Sequence, residues 1–314
     1  MSVAFDTATS KSPASFTRYA WGVLGWNVLV ILWGAYVRAS GSGAGCGNHW
    51  PLCNGDVIPN SPGVQTAIEF THRAMSGLAI FAMAALAWWS FRAFPRGHRV
   101  RKAAVLSIVF FVAEALLGAG LVLLHLVGDN ASIGRAVYLA LHLVNTQLLL
   151  ATLVMVAWFS RDIFYERDGA AARTPSGLVI AALPLTILVS ITGVIAALGD
   201  TVFPARSLVE GFHQDLSTGA SFLIRLRTLH PFVAIGVAGY CAWVATLVIR
   251  RLPHTLPSRI GFAVVVLAFV QLCAGAVNLA LLAPIAMQIF HLLLADLLWI
   301  GLVLLAIEYR EKLA

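Results

Sequence analysis

Eight long apolar runs divide the chain, and each is long enough to cross a lipid bilayer as a helix. A run of about 20 apolar residues spans roughly 30 Å of hydrocarbon. The runs are continuous rather than alternating in polarity, and backbone groups in lipid must be paired within their segment, so helices are favoured over a barrel. The fold class predicted is an all-α membrane protein with eight transmembrane helices. The predicted spans are residues 17–38, 67–92, 103–125, 136–160, 176–198, 228–249, 260–283 and 285–307.

The eight spans form two similar sets of four. The segments "IEFTHRAMSGLAI" and "RLRTLHPFVAIGV" open the second and sixth spans, and histidines align in two pairs, His72 with His230 at an offset of 158 and His142 with His291 at an offset of 149. Halves with an even number of spans share one orientation and are related by a two-fold axis along the membrane normal. We therefore predict two pseudo-two-fold related four-helix bundles, residues 17–160 and 176–308.

Charge and composition fix the environment and the orientation. A mean hydropathy of +0.86 with 11% charged residues lies outside the range of soluble domains. Of the 21 Lys and Arg residues, 15 lie on one side of the predicted membrane, and positive loops stay cytoplasmic. This orientation accounts for the net charge of +7 and leaves no basic surface for nucleic acid. We predict a multi-pass protein of the cell membrane, with both termini cytoplasmic; the positive segments are the N-terminus (Lys11 and Arg18), loops 92–102, 161–173 and 250–259, and the C-terminus.

The four aligned histidines are the candidate ligands. Each lies about six residues inside the outer end of an even-numbered span, roughly 9 Å below the interface. A single intramembrane histidine is more often an interhelical hydrogen-bonding residue. Four at matched depth, two in each bundle, are typical of axial heme ligands. Zinc is less favoured, because each pair lacks the further protein ligands that zinc requires.

Arginines at the outer ends of the spans are candidates for binding heme propionates. The alternative is that these side chains extend towards lipid headgroups, and the sequence leaves both open. The candidates are Arg38, Arg73, Arg225 and Arg227.

The two halves differ at one position beside their histidines. Glu69 stands three residues before His72, whereas Arg227 stands three residues before His230. Residues three apart share a helix face, so Glu69 should face the same cavity as His72. A carboxylate inside a membrane is costly and indicates function. Glu114 and its equivalent, Gln271, are expected to make interhelical hydrogen bonds.

The first outer loop carries a cysteine pair that the second half lacks. In "GAGCGNHWPLCNG", Cys46 and Cys53 lie seven residues apart on the oxidising side of the membrane, where such a pair forms a disulfide. The disulfide has either a structural role, in which it holds the loop together, or a redox role, in which it exchanges electrons, and both interpretations stay open. With Glu69, the pair indicates that the first half performs chemistry and the second holds a permanent cofactor.

Several segments together resemble the heme A synthase family over residues 17–308: "RASGSGAGCGNHWPLCNG", "IEFTHRAMSG", "LALHLVNTQLLLA" and "IFHLLLADLLW". The resemblance implies an enzyme that converts heme O to heme A, oxidising the porphyrin C8 methyl to a formyl group in two hydroxylations. It also implies a heme b cofactor on His230 and His291, and a substrate heme on His72 and His142 with Glu69 in its pocket. From its position, its shared face with His72 and its contrast with Arg227, we predict that Glu69 is the catalytic residue. Many bacterial members carry a second cysteine pair in the third outer loop, which residues 199–224 lack.

The implied partners are heme O, a heme O synthase that donates it, the bilayer, and an unidentified electron donor or acceptor; a homo-oligomer is left open. A b-type dihaem electron-transfer protein is the main alternative, but it does not explain the contrast between Glu69 and Arg227. A transporter would explain the repeat but not the unbroken helices. A thiol oxidase would explain only the cysteines.

Overall fold

The computed structural model describes residues 14–161 and 173–312, and within them lie nine α-helices and two short strands. Eight of the helices in these ranges, all except α6, are long and apolar enough to span a membrane, which confirms the predicted fold class. The elements are α1 (Ala14–Ala39), α2 (Val64–Ala93), α3 (Arg99–Leu123), α4 (Ile133–Phe159), β1 (Arg173–Pro175), α5 (Gly177–Val202), α6 (Leu208–Leu216), α7 (Phe222–Arg251), α8 (Leu256–Ala280), α9 (Ile285–Glu308) and β2 (Arg310–Lys312).

Six of the spanning helices, α1, α2, α3, α4, α7 and α8, begin earlier in the described residues than the apolar pattern predicts. Helix α2 begins at Val64 rather than 67, and α7 begins at Phe222 rather than 228. Charged residues in the first turns of α7 lower its local hydropathy, although the turn itself is helical. The Ser221 hydroxyl accepts a hydrogen bond from the Leu223 amide and caps the first turn of α7. The helix α6 was not predicted, because its nine residues are too short to form a span.

Helix contacts fall into two closed sets. Helices α1 to α4 pack in sequence, with α1 closing against α4; α5, α7, α8 and α9 pack in the same order, with α5 closing against α9. The two sets meet where α1 and α4 pack against α5 and α9. This arrangement is the one expected of two four-helix bundles. The two-fold relation and the assignment of a separate role to each half stay predictions.

Helices α4 and α9 are the most buried of the spanning helices in the described residues, and both contact the other set. Polar groups link the sets there. The Trp299 indole donates to the Gln147 carbonyl at 2.7 Å. The Gln147 side-chain amide donates to the Ser190 hydroxyl at 2.7 Å. Apolar side chains surround these bonds, so each link is shielded from solvent.

Four chain segments meet at the face of the molecule opposite the cysteine loop. Strand β1 pairs antiparallel with β2, which joins the start of α5 to the end of α9. The Thr17 hydroxyl donates to the Ser160 carbonyl at 3.2 Å, which joins the start of α1 to the end of α4. Because each half has an even number of spans, each half begins and ends at the same face of the molecule. Which face is cytoplasmic stays a prediction, and two of its supporting segments, Lys11 and most of loop 161–173, lie outside the described residues.

Candidate functional site

The four histidines lie at similar depths in four helices. His72 and His230 are the ninth residues of α2 and α7, His142 is the tenth residue of α4, and His291 is the seventh of α9. At 1.5 Å per residue these positions are about 9–14 Å from the helix starts. Three of the four are deeper than the predicted 9 Å, because their helices begin before the apolar runs do.

Each histidine ring packs against a glycine of a neighbouring helix. A Cβ atom built at Gly34 would lie 2.9 Å from Cε1 of His72, and Cβ atoms at Gly193 and Gly275 would lie 3.0 Å from Cε1 of His230 and His291. Real Cβ atoms essentially never come as close as 2.9 Å, and a contact of 3.0 Å is tighter than nine in ten of those observed, so these glycines make room for the rings. At Gly118 the distance to Cε1 of His142 is 3.9 Å, an ordinary contact. The pairing of one glycine with one histidine therefore occurs twice in each half.

The ring nitrogens have few protein partners. Within the described part of the chain, the buried Nδ1 atoms of His72, His142 and His291 have no hydrogen bond of acceptable geometry. His230 differs, because Thr192 Oγ1 lies 2.9 Å from its Nδ1. A buried polar atom without a partner is destabilising by about 1–3 kcal/mol. Rings in this state are suited to binding a ligand that supplies the missing interactions.

The residues present fit heme better than a bare metal ion. Among residues 14–161 and 173–312, no group of three or more His, Cys, Asp or Glu side chains could hold a metal. Heme supplies four ligands of its own and needs only one or two from the protein. A pair of histidines in each half meets that requirement, so His72 with His142 and His230 with His291 are the candidate ligand pairs.

The first outer loop is closed by a disulfide. Cys46 and Cys53 are bonded, which confirms the predicted pairing, and both are almost fully buried. The Asn54 amide donates to the Cys46 carbonyl at 3.0 Å across the ring that the bond closes. Gly47 has a φ of 62° and makes the turn inside this ring. The loop is therefore a compact unit.

Glu69 holds this loop onto α2. One carboxylate oxygen, Oε2, accepts a hydrogen bond from the Cys46 amide at 2.9 Å. The other, Oε1, pairs with Arg73 at 2.5 Å, and the side chain of Glu69 is only 5% exposed. The second guanidinium nitrogen of Arg73 donates to the carbonyls of His49 and Leu52 at 2.6 and 2.5 Å. Glu69 and Arg73 thus contact the disulfide ring from one turn of helix, an arrangement that the sequence did not reveal. The catalytic role of Glu69 stays a prediction.

Arg38 connects the two halves. Its guanidinium donates to the Ala197 carbonyl and the Thr201 hydroxyl of α5, both at 2.8 Å. It also donates to Gln288 Oε1 of α9 at 2.9 Å. The arginine stands out in the sequence as a charge near an outer helix end. Its partners do not, because they lie 159 to 250 residues away along the chain.

The other arginine candidates also have protein partners. Arg227 pairs with Asp200 at 2.9 Å and with Asp215 at 2.5 Å. Arg225 donates to the Thr218 carbonyl at 2.6 Å. Propionate binding by any of the four arginines stays a prediction, and it would require these contacts to be shared or exchanged.

Comparison with known proteins agrees with these features. Residues 17–303 match the COX15-CtaA family, described as cytochrome oxidase assembly protein. A protoheme IX farnesyltransferase of Thermus thermophilus is 47% identical over 304 residues, which are 96% of this chain and 50% of that protein.

Two heme A synthases also match. That of Halalkalibacterium halodurans is 39% identical over 129 residues, 41% of each chain. That of Exiguobacterium sibiricum is 32% identical over 166 residues, 53% of this chain and 54% of that protein. The chain spans about half the length, or less, of these curated relatives. It belongs to the COX15-CtaA family of cytochrome oxidase assembly proteins, which confirms the resemblance to heme A synthases.

Proposed function

We propose that this membrane protein converts heme O to heme A, oxidising the porphyrin C8 methyl group to a formyl group in two hydroxylations. The observation that carries the proposal is the asymmetry of the two histidine pairs. Only the pair His72 and His142 has a buried carboxylate, Glu69, three residues away, under a disulfide-closed loop. The family and the two matching heme A synthases support this assignment.

Each half has its own role in the proposal. His230 and His291 hold a resident heme b, while His72 and His142 hold the heme substrate. Bound heme supplies the oxidising chemistry, because no amino-acid side chain can oxidise an unactivated methyl group alone. The glycines behind the histidines keep the rings in place, and the disulfide loop covers the substrate site from the outer face.

Glu69 is proposed as the proton-transfer group of the substrate site. Oxidation of a methyl carbon moves protons as well as electrons, and a positioned carboxylate can take them up. In the structure its two oxygens are fixed by the Cys46 amide and by Arg73. These contacts set the orientation of the carboxylate and keep water away from it.

The alternative of a b-type dihaem electron-transfer protein is less well supported. Electron transfer alone explains the four histidines but not the opposite charges three residues before His72 and His230, Glu69 and Arg227. Arg227 forms ion pairs with two aspartates, whereas Glu69 contacts the disulfide-closed loop. The matching relatives that are named for heme A synthesis also favour the enzyme.

A heme O synthase is the proposed donor of the substrate. Attaching a farnesyl group to protoheme yields heme O, and a matching relative twice as long as the aligned region is named protoheme IX farnesyltransferase. We place the protein in the cell membrane with both termini cytoplasmic, from the distribution of Lys and Arg. Removing electrons from a methyl group also requires a redox partner, so an electron donor or acceptor belongs to the proposal.

The test is the production of heme A in cells. The chain is expressed with a heme O synthase in a bacterium that makes no heme A, and hemes extracted from the membranes are separated by chromatography. Heme A is expected, and it should be absent with a His72→Ala variant of equal expression. Membranes that contain only hemes B and O alongside well-expressed, heme-loaded protein would overturn the proposal.

The role of Glu69 is tested by comparison with its ion-pair partner. Glu69→Gln keeps the shape and an oxygen acceptor for the Cys46 amide but removes the charge and the transferable proton. Arg73→Gln removes the same ion pair and leaves the carboxylate. A proton-transfer role predicts that Glu69→Gln accumulates heme O or a partly oxidised heme with normal heme b, while Arg73→Gln, which loses a candidate propionate contact but keeps the carboxylate, still forms heme A when heme O is abundant. Equal losses of heme A formation in both variants would show that the ion pair serves only to hold the loop on α2.

A further inference from the structure

A second carboxylate, outside the proton-transfer role given to Glu69, contacts a histidine of the substrate site. Glu114 lies on α3, and its Oε1 atom is 3.2 Å from Nδ1 of His142 on α4. The side chains of His142 and Glu114 are 26% and 19% exposed, so this contact lies beside open space rather than in packed core. The distance is short enough for a hydrogen bond, but the angle falls short of a well-formed one.

Two polar residues of α4 hold the Glu114 carboxylate in this position. Asn145 donates to Oε2 at 2.6 Å, and the Thr146 hydroxyl is hydrogen-bonded to Oε1. The same Asn145 amide contacts the Phe110 carbonyl at 2.8 Å, one turn before Glu114. A buried carboxylate is stable only when its oxygens are paired, and these donors provide the pairing. The carboxylate is thereby kept facing His142.

The second half has a different arrangement at the equivalent positions. Glu114 corresponds to Gln271, whose Nε2 is 3.3 Å from Nε2 of His291. At the histidine offset of 149, Asn145 and Thr146 correspond to Leu294 and Ala295. Neither of these side chains can donate a hydrogen bond. The carboxylate and both of its supporting donors are therefore confined to the half that contains Glu69.

A histidine ligand is controlled by the partner of its other ring nitrogen. A carboxylate acceptor at Nδ1 fixes which nitrogen carries the proton, orients the ring and makes the other nitrogen a stronger donor to the metal. A stronger donor stabilises the ferric over the ferrous state, and hydrogen bonding of this kind is one of the means by which proteins set heme potentials. Gln271 is uncharged and contacts the other ring nitrogen of its histidine, so Nδ1 of His291 has no acceptor within the described part of the chain.

We propose that Glu114 is the positioning residue for His142 and that it gives heme in the N-terminal site a lower reduction potential than heme in the C-terminal site. The inference rests on the proposed heme ligation by the two histidine pairs, not on heme A formation. Such a difference in potential would favour electron transfer from heme in the N-terminal site to heme in the C-terminal site.

The test is a redox titration of purified protein loaded with heme b, followed by optical spectroscopy. Glu114→Gln should raise the midpoint potential of one of the two heme components and leave the other unchanged. A tenfold loss of preference for the ferric state corresponds to about 59 mV for this one-electron couple. Gln271→Glu adds a negative charge beside His291, which favours the ferric state electrostatically, so it should lower the potential of the other component and thereby assign it.

The results of the redox titration distinguish failure of this inference from failure of the proposed function. Unchanged potentials in Glu114→Gln, with both hemes retained, would overturn the inference. If that variant loses heme or does not fold, Glu114→Asp decides, because the shorter side chain keeps the charge but withdraws the carboxylate from Nδ1 of His142: a raised potential supports the inference and an unchanged one overturns it. Both measurements are readable in protein that makes no heme A, whereas a wild-type protein that binds no heme would overturn the inference together with the proposed function.

Discussion

Substitution of Gly193 by alanine should expel heme from the C-terminal site without unfolding the helices. The new Cβ would lie 3.0 Å from Cε1 of His230. This distance is about 0.5–1 Å shorter than the optimum between carbon atoms. A free imidazole can rotate away, at about 0.5–1.5 kcal/mol for a displacement of roughly 30°. A ring held by iron cannot rotate in this way, so the strain falls on the bond to heme.

The magnitude follows from the cost of overpacking. Forcing an extra methyl group into a filled site costs about 1–3 kcal/mol. If this cost is borne by the ligated form, heme binding weakens by about 5- to 150-fold. The assay measures heme per polypeptide in purified protein and the rate at which apomyoglobin removes it. Circular dichroism of the same samples reports whether the helices are intact.

The chain offers two matched controls. Gly236 lies on α7 with His230, and among the described residues no other atom comes within 4 Å of the place that its methyl group would take, so Gly236→Ala should keep full heme affinity. Gly118→Ala places its Cβ 3.9 Å from the ring of His142, an ordinary contact, and should be tolerated at the other site. Gly193→Ala protein that holds heme as tightly as Gly236→Ala would refute the reasoning.

Three further predictions follow from the contacts described. His230→Ala should remove most heme b, whereas His72→Ala should keep it; the reverse pattern in the heme spectra would show that the two halves have been assigned backwards. Cys46 and Cys53 should resist alkylation until reductant is added. Replacing both by serine should lower the free energy of unfolding by about 2–3 kcal/mol for a loop of this length. A melting temperature equal to that of the wild type would count against a structural role for the disulfide. Arg38→Met should lower the melting temperature of the detergent-solubilised protein by breaking charged hydrogen bonds worth about 1.5–3 kcal/mol each; an unchanged value would mean that the halves are held together without it.

The spans and the histidines could be predicted because their signals are local or repeated. Crossing a bilayer requires only a long apolar run, which is visible in any window of the sequence. The histidines were visible because two copies of the same pattern appear, and agreement between His72 and His230 is stronger evidence than either alone. The disulfide was predictable from two cysteines in one short loop on an oxidising side.

The contacts that surround the site could not be predicted, because they join helices distant in sequence. Gly34 and Gly193 look like ordinary packing residues of apolar helices until the neighbouring helix places a ring over them. Arg38 and Glu69 were recognised as unusual charges, but their partners depend on how the halves meet and how the loop folds back. Glu114 was expected to bond across helices, and it does, but its contact with His142 required the structure.

The pairing of each histidine with a glycine on another helix limits how such a protein can change its number of heme sites. The rings of His72, His230 and His291 lie where a Cβ atom on the neighbouring helix would crowd them, and only the ring of His142 leaves room for one. A new ligand like the first three would need changes on two helices. Copying a four-helix unit whole supplies all of these positions in one event, and the divergence of Glu69 from Arg227 could then follow by single substitutions in one copy.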